Sequence, residues 1–214
     1  MKRMLTVMAA VAFTVAPLAA QSLGMPNFSS PKGGTGVTIS GDLAMPNADL
    51  GKGTAFGARA TLGLANISLT AGLASWKPKG LTDNYTSVGG QAAFRVIGGS
   101  LIPVALSLQA GAARVSAANG DPSLTRIGLG GAVSVNVPTP GLSIEPYLAV
   151  QNRWYKFSGG TSTESNIGWT LGANVGLGML GLHVAYDSEN FGGGTTGGII
   201  GIGAHFSLKA PIGM

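Results

Sequence analysis

Few side chains in this sequence are equipped for acid–base or ion chemistry, and their spacing narrows what that chemistry is. The chain holds two histidines, His183 and His205, and no cysteine, which excludes thiolate nucleophiles, thiolate metal ligands and disulfides. His183 and Asp187 are related as i and i+4. On an extended strand that spacing is about 13 Å, too far for a carboxylate to orient an imidazole as a general base. His183 and His205 fall on neighbouring segments, but the sequence offers no third metal ligand beside them. No catalytic, metal or cofactor site is expected, and the chain is not expected to be an enzyme. The other ionic residues follow a different pattern. Asp42, Arg59, Arg95, Arg126, Glu145, Arg153, His183, Asp187 and His205 all fall on the polar side of segments that alternate polar with apolar residues. Such rows either line a watered interior or interlock as ion pairs. Arg126 and Arg153 are expected to stand opposite each other near the outer mouth, either as independently solvated side chains or as a repulsive pair that would weakly draw anions to a rim.

These residues need elements to hold them, and the hydropathy pattern supplies strands. From Asn66 onward Ile67, Leu69, Ala71 and Leu73 point one way while Ser68, Thr70, Gly72 and Ala74 point the other. Further along, Leu142, Ile144, Pro146, Leu148 and Val150 oppose Ser143, Glu145, Tyr147, Ala149 and Gln151. Ten such segments are predicted: 34–45, 53–63, 66–77, 85–97, 101–116, 124–137, 142–157, 166–177, 180–188 and 197–209. Four connections are short, at Leu64-Ala65, Gly98-Gly99-Ser100, 138–141 and Gly178-Met179, and suit hairpin turns. The other five, near 46–52, 78–84, 117–123, 158–165 and 189–196, are longer and polar. Pairing Val137 with Leu142 sets Arg126 against Arg153, pairing Leu177 with Leu180 sets Asn174 against His183, and the Gly98 to Ser100 loop sets Gln91 against Ser107. Each register keeps polar beside polar.

Composition decides what surrounds the apolar side. Glycine supplies 36 of 214 residues and charged residues only 10%, too few to coat a soluble β protein. The glycines show no every-third-residue period, which excludes collagen. Lys2 and Arg3, the apolar run from Met4 to Ala16 and the small residues before Gln21 describe a secretory signal peptide over residues 1–20. Beyond it no apolar run is long enough for a helical span. A closed transmembrane antiparallel up-and-down β-barrel meets all these conditions: apolar side chains face lipid and ring closure satisfies the backbone. The expected architecture is all-β with about ten strands, eight being the variant, over residues 34–209. Residues 21–33 are expected as a periplasmic lead-in and 210–214 as a C-terminal tail. On the lipid side Phe94, Trp154 and Phe206 are placed for an aromatic girdle at the headgroup boundaries.

The signal peptide, the alternating segments, the absence of cysteine and the final strand Gly203-Ala204-His205-Phe206-Ser207-Leu208-Lys209 together resemble the small outer-membrane β-barrel proteins. That superfamily includes the outer-membrane protein A transmembrane domain and porin-like barrels. The resemblance covers the whole exported chain, with one departure: eight residues follow Phe206, where family members commonly end on an aromatic residue. It implies a monomer in the bacterial outer membrane, partnered by outer-membrane lipid and lipopolysaccharide and by the barrel assembly machinery during biogenesis. The expected function is structural or a small pore passing small solutes; the alternative is a surface adhesin or receptor that binds through its loops. Nucleic acid is not an expected partner, since the exported chain carries no Lys/Arg run.

Overall fold

The computed structural model describes residues 24–31, 33–98, 102–117 and 123–209. The expected signal peptide and C-terminal tail lie outside the described residues. Eleven strands follow one another: β1 (Gly36–Pro46), β2 (Thr54–Leu64), β3 (Ile67–Lys77), β4 (Tyr85–Ile97), β5 (Val104–Ala117), β6 (Leu124–Val135), β7 (Val137–Thr139), β8 (Leu142–Phe157), β9 (Glu164–Leu177), β10 (Leu180–Gly192) and β11 (Thr195–Lys209). β7 is a short continuation of β6 past Asn136, which leaves ten long strands. Each pairs antiparallel with its sequence neighbour, β1 pairs with β11, and β6 pairs with β8, so the ring closes. Closure gives every long strand two hydrogen-bonded partners and leaves no open edge.

Alternation along each strand sorts the side chains. Ile39, Phe56, Leu73, Leu108, Ile167 and Leu182 point outward and are exposed, while Ser40, Ser107, Gln109, Gln151 and Thr170 point inward and are buried. The usual arrangement of a soluble protein is thus inverted. Phe94 and Phe206 stand on the outer face, and Trp154 is half-buried there beside Ile127 and Ser165. Trp169 and Tyr186, with ring centroids 5.6 Å apart, add a further outward aromatic pair.

The turns at one end of the barrel, the turn end, are short. Leu64 pairs with Ile67 around Ala65-Asn66, and Leu177 pairs with Leu180 around Gly178-Met179. Four connections differ from the sequence-based expectation, the first being this Ala65-Asn66 turn, one residue beyond the expected Leu64-Ala65. Thr139 pairs with Leu142, so Pro140-Gly141 is a two-residue turn and the β6–β8 register moves by two residues. Gly141, at φ +75°, adopts the left-handed conformation that such a turn requires. Ser107 pairs with Arg95 rather than Gln91, because a bulge between Arg95 and Ile97 and a later start of β5 shift that register. At the opposite end, the loop end, the expected loop 189–196 is mostly strand: β10 runs to Gly192, β11 starts at Thr195, and Gly193-Gly194 makes the turn. Registers that change by an even number of residues leave the inward and outward faces intact.

The seam between β6 and β8 admits no side chain at Gly130. A Cβ there would stand 2.0 Å from the Val150 carbonyl oxygen and 2.6 Å from the Gln151 Cα. Gly130→Val is therefore expected to abolish the faster-migrating band that a closed barrel shows on electrophoresis without boiling. A variant that keeps this band would show that the β6–β8 contact is not needed for closure.

Candidate functional site

The inward rows meet in the lumen, and all nine charged residues read from the alternation are found there. Nearest the loop end, Arg153 of β8 is 1% exposed and pairs with Asp187 of β10 through two bonds, Nη2 to Oδ2 at 2.6 Å and Nη1 to Oδ1 at 2.8 Å. The same Nη1 donates to Glu189 Oε2 at 2.8 Å. Tyr155 donates its hydroxyl to that oxygen at 2.6 Å, and Arg126 reaches it at 3.4 Å while lying over the Tyr155 ring. The Thr170 hydroxyl donates to Asp187. Arg153 thus meets Asp187 in a bidentate arrangement that lysine could not reproduce, and Arg126 adds a second guanidinium at Glu189. The expected repulsive arginine pair is corrected: Arg153 pairs with Gly128, Arg126 pairs with Tyr155, and Glu189 accepts from both guanidiniums. Glu189 escaped the sequence reading because it fell within an expected loop. Its position two residues beyond Asp187, on the same strand face, was the available signal.

A second group joins four strands lower in the barrel. Arg59 of β2 donates from Nε to Asp42 Oδ2 at 2.6 Å and from Nη2 to Asp42 Oδ1 at 3.0 Å. His183 Nε2 lies 2.6 Å from Asp42 Oδ1, and the two Nδ1 atoms of His183 and His205 lie 3.3 Å apart. His183 and Asp187 take separate partners. In a third group Glu145 accepts from Ser134, Ser30 and Asn174 at 2.8, 2.9 and 3.2 Å. Arg95 stands near the turn end, 2.6 Å from Asn66 Oδ1. Among the described residues no group of three or more His, Cys, Asp or Glu side chains could hold a metal ion.

Residues 24–31 occupy the middle of the lumen. Gly33 approaches Arg95 and Ala65 at the turn end, and Gly24 packs on Trp76 and Ala55 at the loop end, so the segment runs back up the bore alongside the strand it precedes. Met25 joins Ala44, Ala55, Ala74 and Ile199 in a small apolar cluster. Tyr147 donates to the Asn27 carbonyl at 3.1 Å and accepts from the Ser29 amide at 3.2 Å. Gln109 accepts from Asn27, Gln91 and Gln151 and donates to the Ser29 hydroxyl at 2.7 Å. The sequence reading put residues 21–33 outside the barrel; the described residues 24–31 lie within it. The physical reason is the polar wall, which supplies partners for the segment's backbone and for Asn27, Ser29 and Ser30. Pro26, whose fixed φ favours an extended path, and the small polar residues after it were the only sequence hint.

Room for these groups comes from glycine. A Cβ at Gly168 would stand 2.2 Å from Arg153 Nη1, and one at Gly172 would stand 2.4 Å from the Tyr147 ring. Around this filled middle, a cavity of about 480 Å³ opens at the turn end, lined by Thr38, Arg59, Gln91, Glu145, Asn174 and His205 among others. Another of about 380 Å³ lies at the loop end, against Trp76, Tyr155, Phe191 and Glu189.

A closed, all-antiparallel, up-and-down barrel of ten long strands, apolar outside and polar within, has the architecture of the outer-membrane β-barrels. The β-domain of the Bordetella autotransporter BrkA shares this fold, with a TM-score of 0.52 at 12% identity over 83% of this chain and 100% of that one. The N-terminal barrel domain of Pseudomonas aeruginosa OprF and the KdgM porin align more loosely. Their TM-scores are both 0.40, at 12% and 14% identity, over 82% and 80% of this chain and 99% of theirs. No protein-family profile and no curated protein matches the sequence.

Removing Arg153 leaves two buried carboxylates short of their main partner. Arg153→Met is expected to lower unfolding stability in detergent by about 3–5 kcal/mol, measured by urea titration. Gly168→Ala, which pushes the guanidinium aside, should reproduce part of that loss, while Gly41→Ala, where nothing lies within 4 Å, should not.

Proposed function

We propose that this chain is a bacterial outer-membrane barrel whose polar lumen is a route for small solutes, occluded at its centre by residues 24–31. The outward apolar face supports the membrane setting: strands of 11 to 16 residues, tilted as in known barrels, cover the belt of about 25 Å that a lipid-facing surface needs. The observation that carries the reading is the cavity of about 480 Å³ at the turn end, walled by hydroxyl, amide and ionic side chains and ending against Phe28 and Ser29. A wall of this kind solvates uncharged polar molecules, and the paired charges above it give no strong preference for either sign of ion.

The proposal includes export by the N-terminal signal peptide, insertion by the barrel assembly machinery, and a monomer surrounded by outer-membrane lipid and lipopolysaccharide, with no catalytic role and no nucleic-acid partner. The described loop-end connections 47–53, 78–84 and 158–163 are short, and Gly193-Gly194 is a bare turn. Among the described residues nothing builds the projecting surface that an adhesin needs.

Passage is read by swelling of liposomes holding the refolded barrel in solutions of uncharged sugars. The chain without its signal peptide is expected to swell slowly, and the same chain lacking residues 24–31 at least about tenfold faster, as expected when an occluding state is removed. Equal, background swelling of both barrels, each showing its compact electrophoretic band, would overturn the solute route.

A further inference from the structure

The loop-end cavity is built differently from the rest of the lumen. Its walls are apolar and aromatic, from Leu50, Trp76, Leu124, Tyr155, Phe191 and Ile199. These come from the turn after β1 and from β3, β6, β8, β10 and β11, so most of the ring converges on one space of about 380 Å³. Pockets that take small molecules run from about 300 to 1,000 Å³ and are mostly apolar with a few placed polar groups. The walls are held in place. Trp76 Nε1 donates to the Lys52 carbonyl at 3.1 Å, and its ring leans on Tyr85 with centroids 5.6 Å apart. Phe191 and Tyr155 meet at 6.1 Å between centroids. Gly197 admits this packing, since a Cβ there would stand 2.7 Å from the Phe191 ring and 3.0 Å from Leu50.

The floor is ionic and one of its carboxylates is half satisfied. Arg126, Asp187 and Glu189 line it. In Asp42, Glu145 and Asp187, buried like Glu189, each oxygen has a donor. Glu189 breaks that pattern. Arg153, Tyr155 and Arg126 all donate to its Oε2, while Oε1 is buried with no partner, as is Arg126 Nε. Glu189 is 4% exposed and Arg126 6%. A buried carboxylate oxygen without a donor costs stability, and a donor brought by a bound molecule recovers it.

We infer that the loop-end cavity is a binding site for a small uncharged aromatic molecule carrying one N–H or O–H group, its ring against Trp76, Tyr155 and Phe191 and its donor on Glu189 Oε1. Aromatic walls favour a ring over an alkyl chain, and the Arg126 guanidinium adds a cation–π partner. The charges favour a neutral ligand. At the floor Arg126 and Arg153 offset Asp187 and Glu189, so a full charge gains no net partner there. Asp49 and Glu164, also on the lining, further disfavour an anion. The site lies at the opposite end of the lumen from the cavity that carries the solute route and does not rest on that route.

Indole is the probe, and 1-methylindole, which lacks the N–H, is its control. Equilibrium dialysis of the refolded barrel against the same detergent without protein subtracts the share taken up by micelles. One indole per barrel is expected, with 1-methylindole bound at least about tenfold more weakly, because a site built around a hydrogen bond rejects the analogue lacking it. Leu50→Trp, which fills the cavity from a loop position, should lose the indole. In Glu189→Gln the amide oxygen stays with the three donors and an NH2 replaces Oε1, so the preference for indole over 1-methylindole should vanish. The two probes on the unaltered barrel decide the matter even where a variant fails to close. Equal uptake of both, or none above the micelles, would overturn the site. So would full uptake by a Leu50→Trp barrel that keeps its compact electrophoretic band.

Discussion

Everything inside this barrel follows from the pairing of β1 with β11. That contact between the first and last strands closes a ring of ten long strands and fixes a bore too narrow to stay empty once large polar side chains point into it. Backbone hydrogen bonds hold the ring, so the wall does not rely on side-chain packing of the kind that stabilises a soluble core. The inner face is thereby free to be polar. Its polar groups still have to be satisfied, because Arg153, Gln109 and Thr170 are as completely buried as core residues elsewhere.

Glycine reconciles these demands. Where a large side chain lies across a neighbouring strand, that strand carries glycine: Gly168 under Arg153, Gly172 under Tyr147, Gly181 under His205, and Gly203 under His183 and Asp42. Gly57 and Gly201 do the same for Met25 and Phe28 of the lumen segment. The unusual glycine content is therefore a record of what fills the bore. A wall of alanine or valine at these positions would leave space for neither the ion pairs nor the segment, since the clashing atoms stand within 2.7 Å of the added Cβ.

The faces of the strands were legible in the sequence because a period of two survives errors of register. Asp42, Arg59, Arg126, Glu145, Arg153, His183, Asp187 and His205 could be placed inward from alternation alone. What each one touches depends on register, and register rests on turn geometry. The tighter turn at Pro140-Gly141 moved Arg126 and Arg153 out of opposition, and the extension of β10 brought in Glu189 to neutralise them. The lumen segment was harder to see. Residues 24–31 have no strand partner and no periodicity, and their placement is set by tertiary contacts to Tyr147, Gln109, Asn174 and Arg59. No local pattern encodes contacts made over separations of 31 to 145 residues.

The lumen's electrostatics carry the same lesson about scale. Counted along the sequence, arginines on the inner face suggest an anion-attracting channel. In space three of them are matched by carboxylates: Arg59 by Asp42, Arg153 by Asp187 and Glu189, and Arg126 by Glu189. Matching at this distance weakens the long-range field that would steer ions, yet leaves strong short-range bonds between strands that are not neighbours. β8 is tied to β10 over β9, and β2 to β10 over β1 and β11. The same charges that would have made an open pore selective thus hold this one filled.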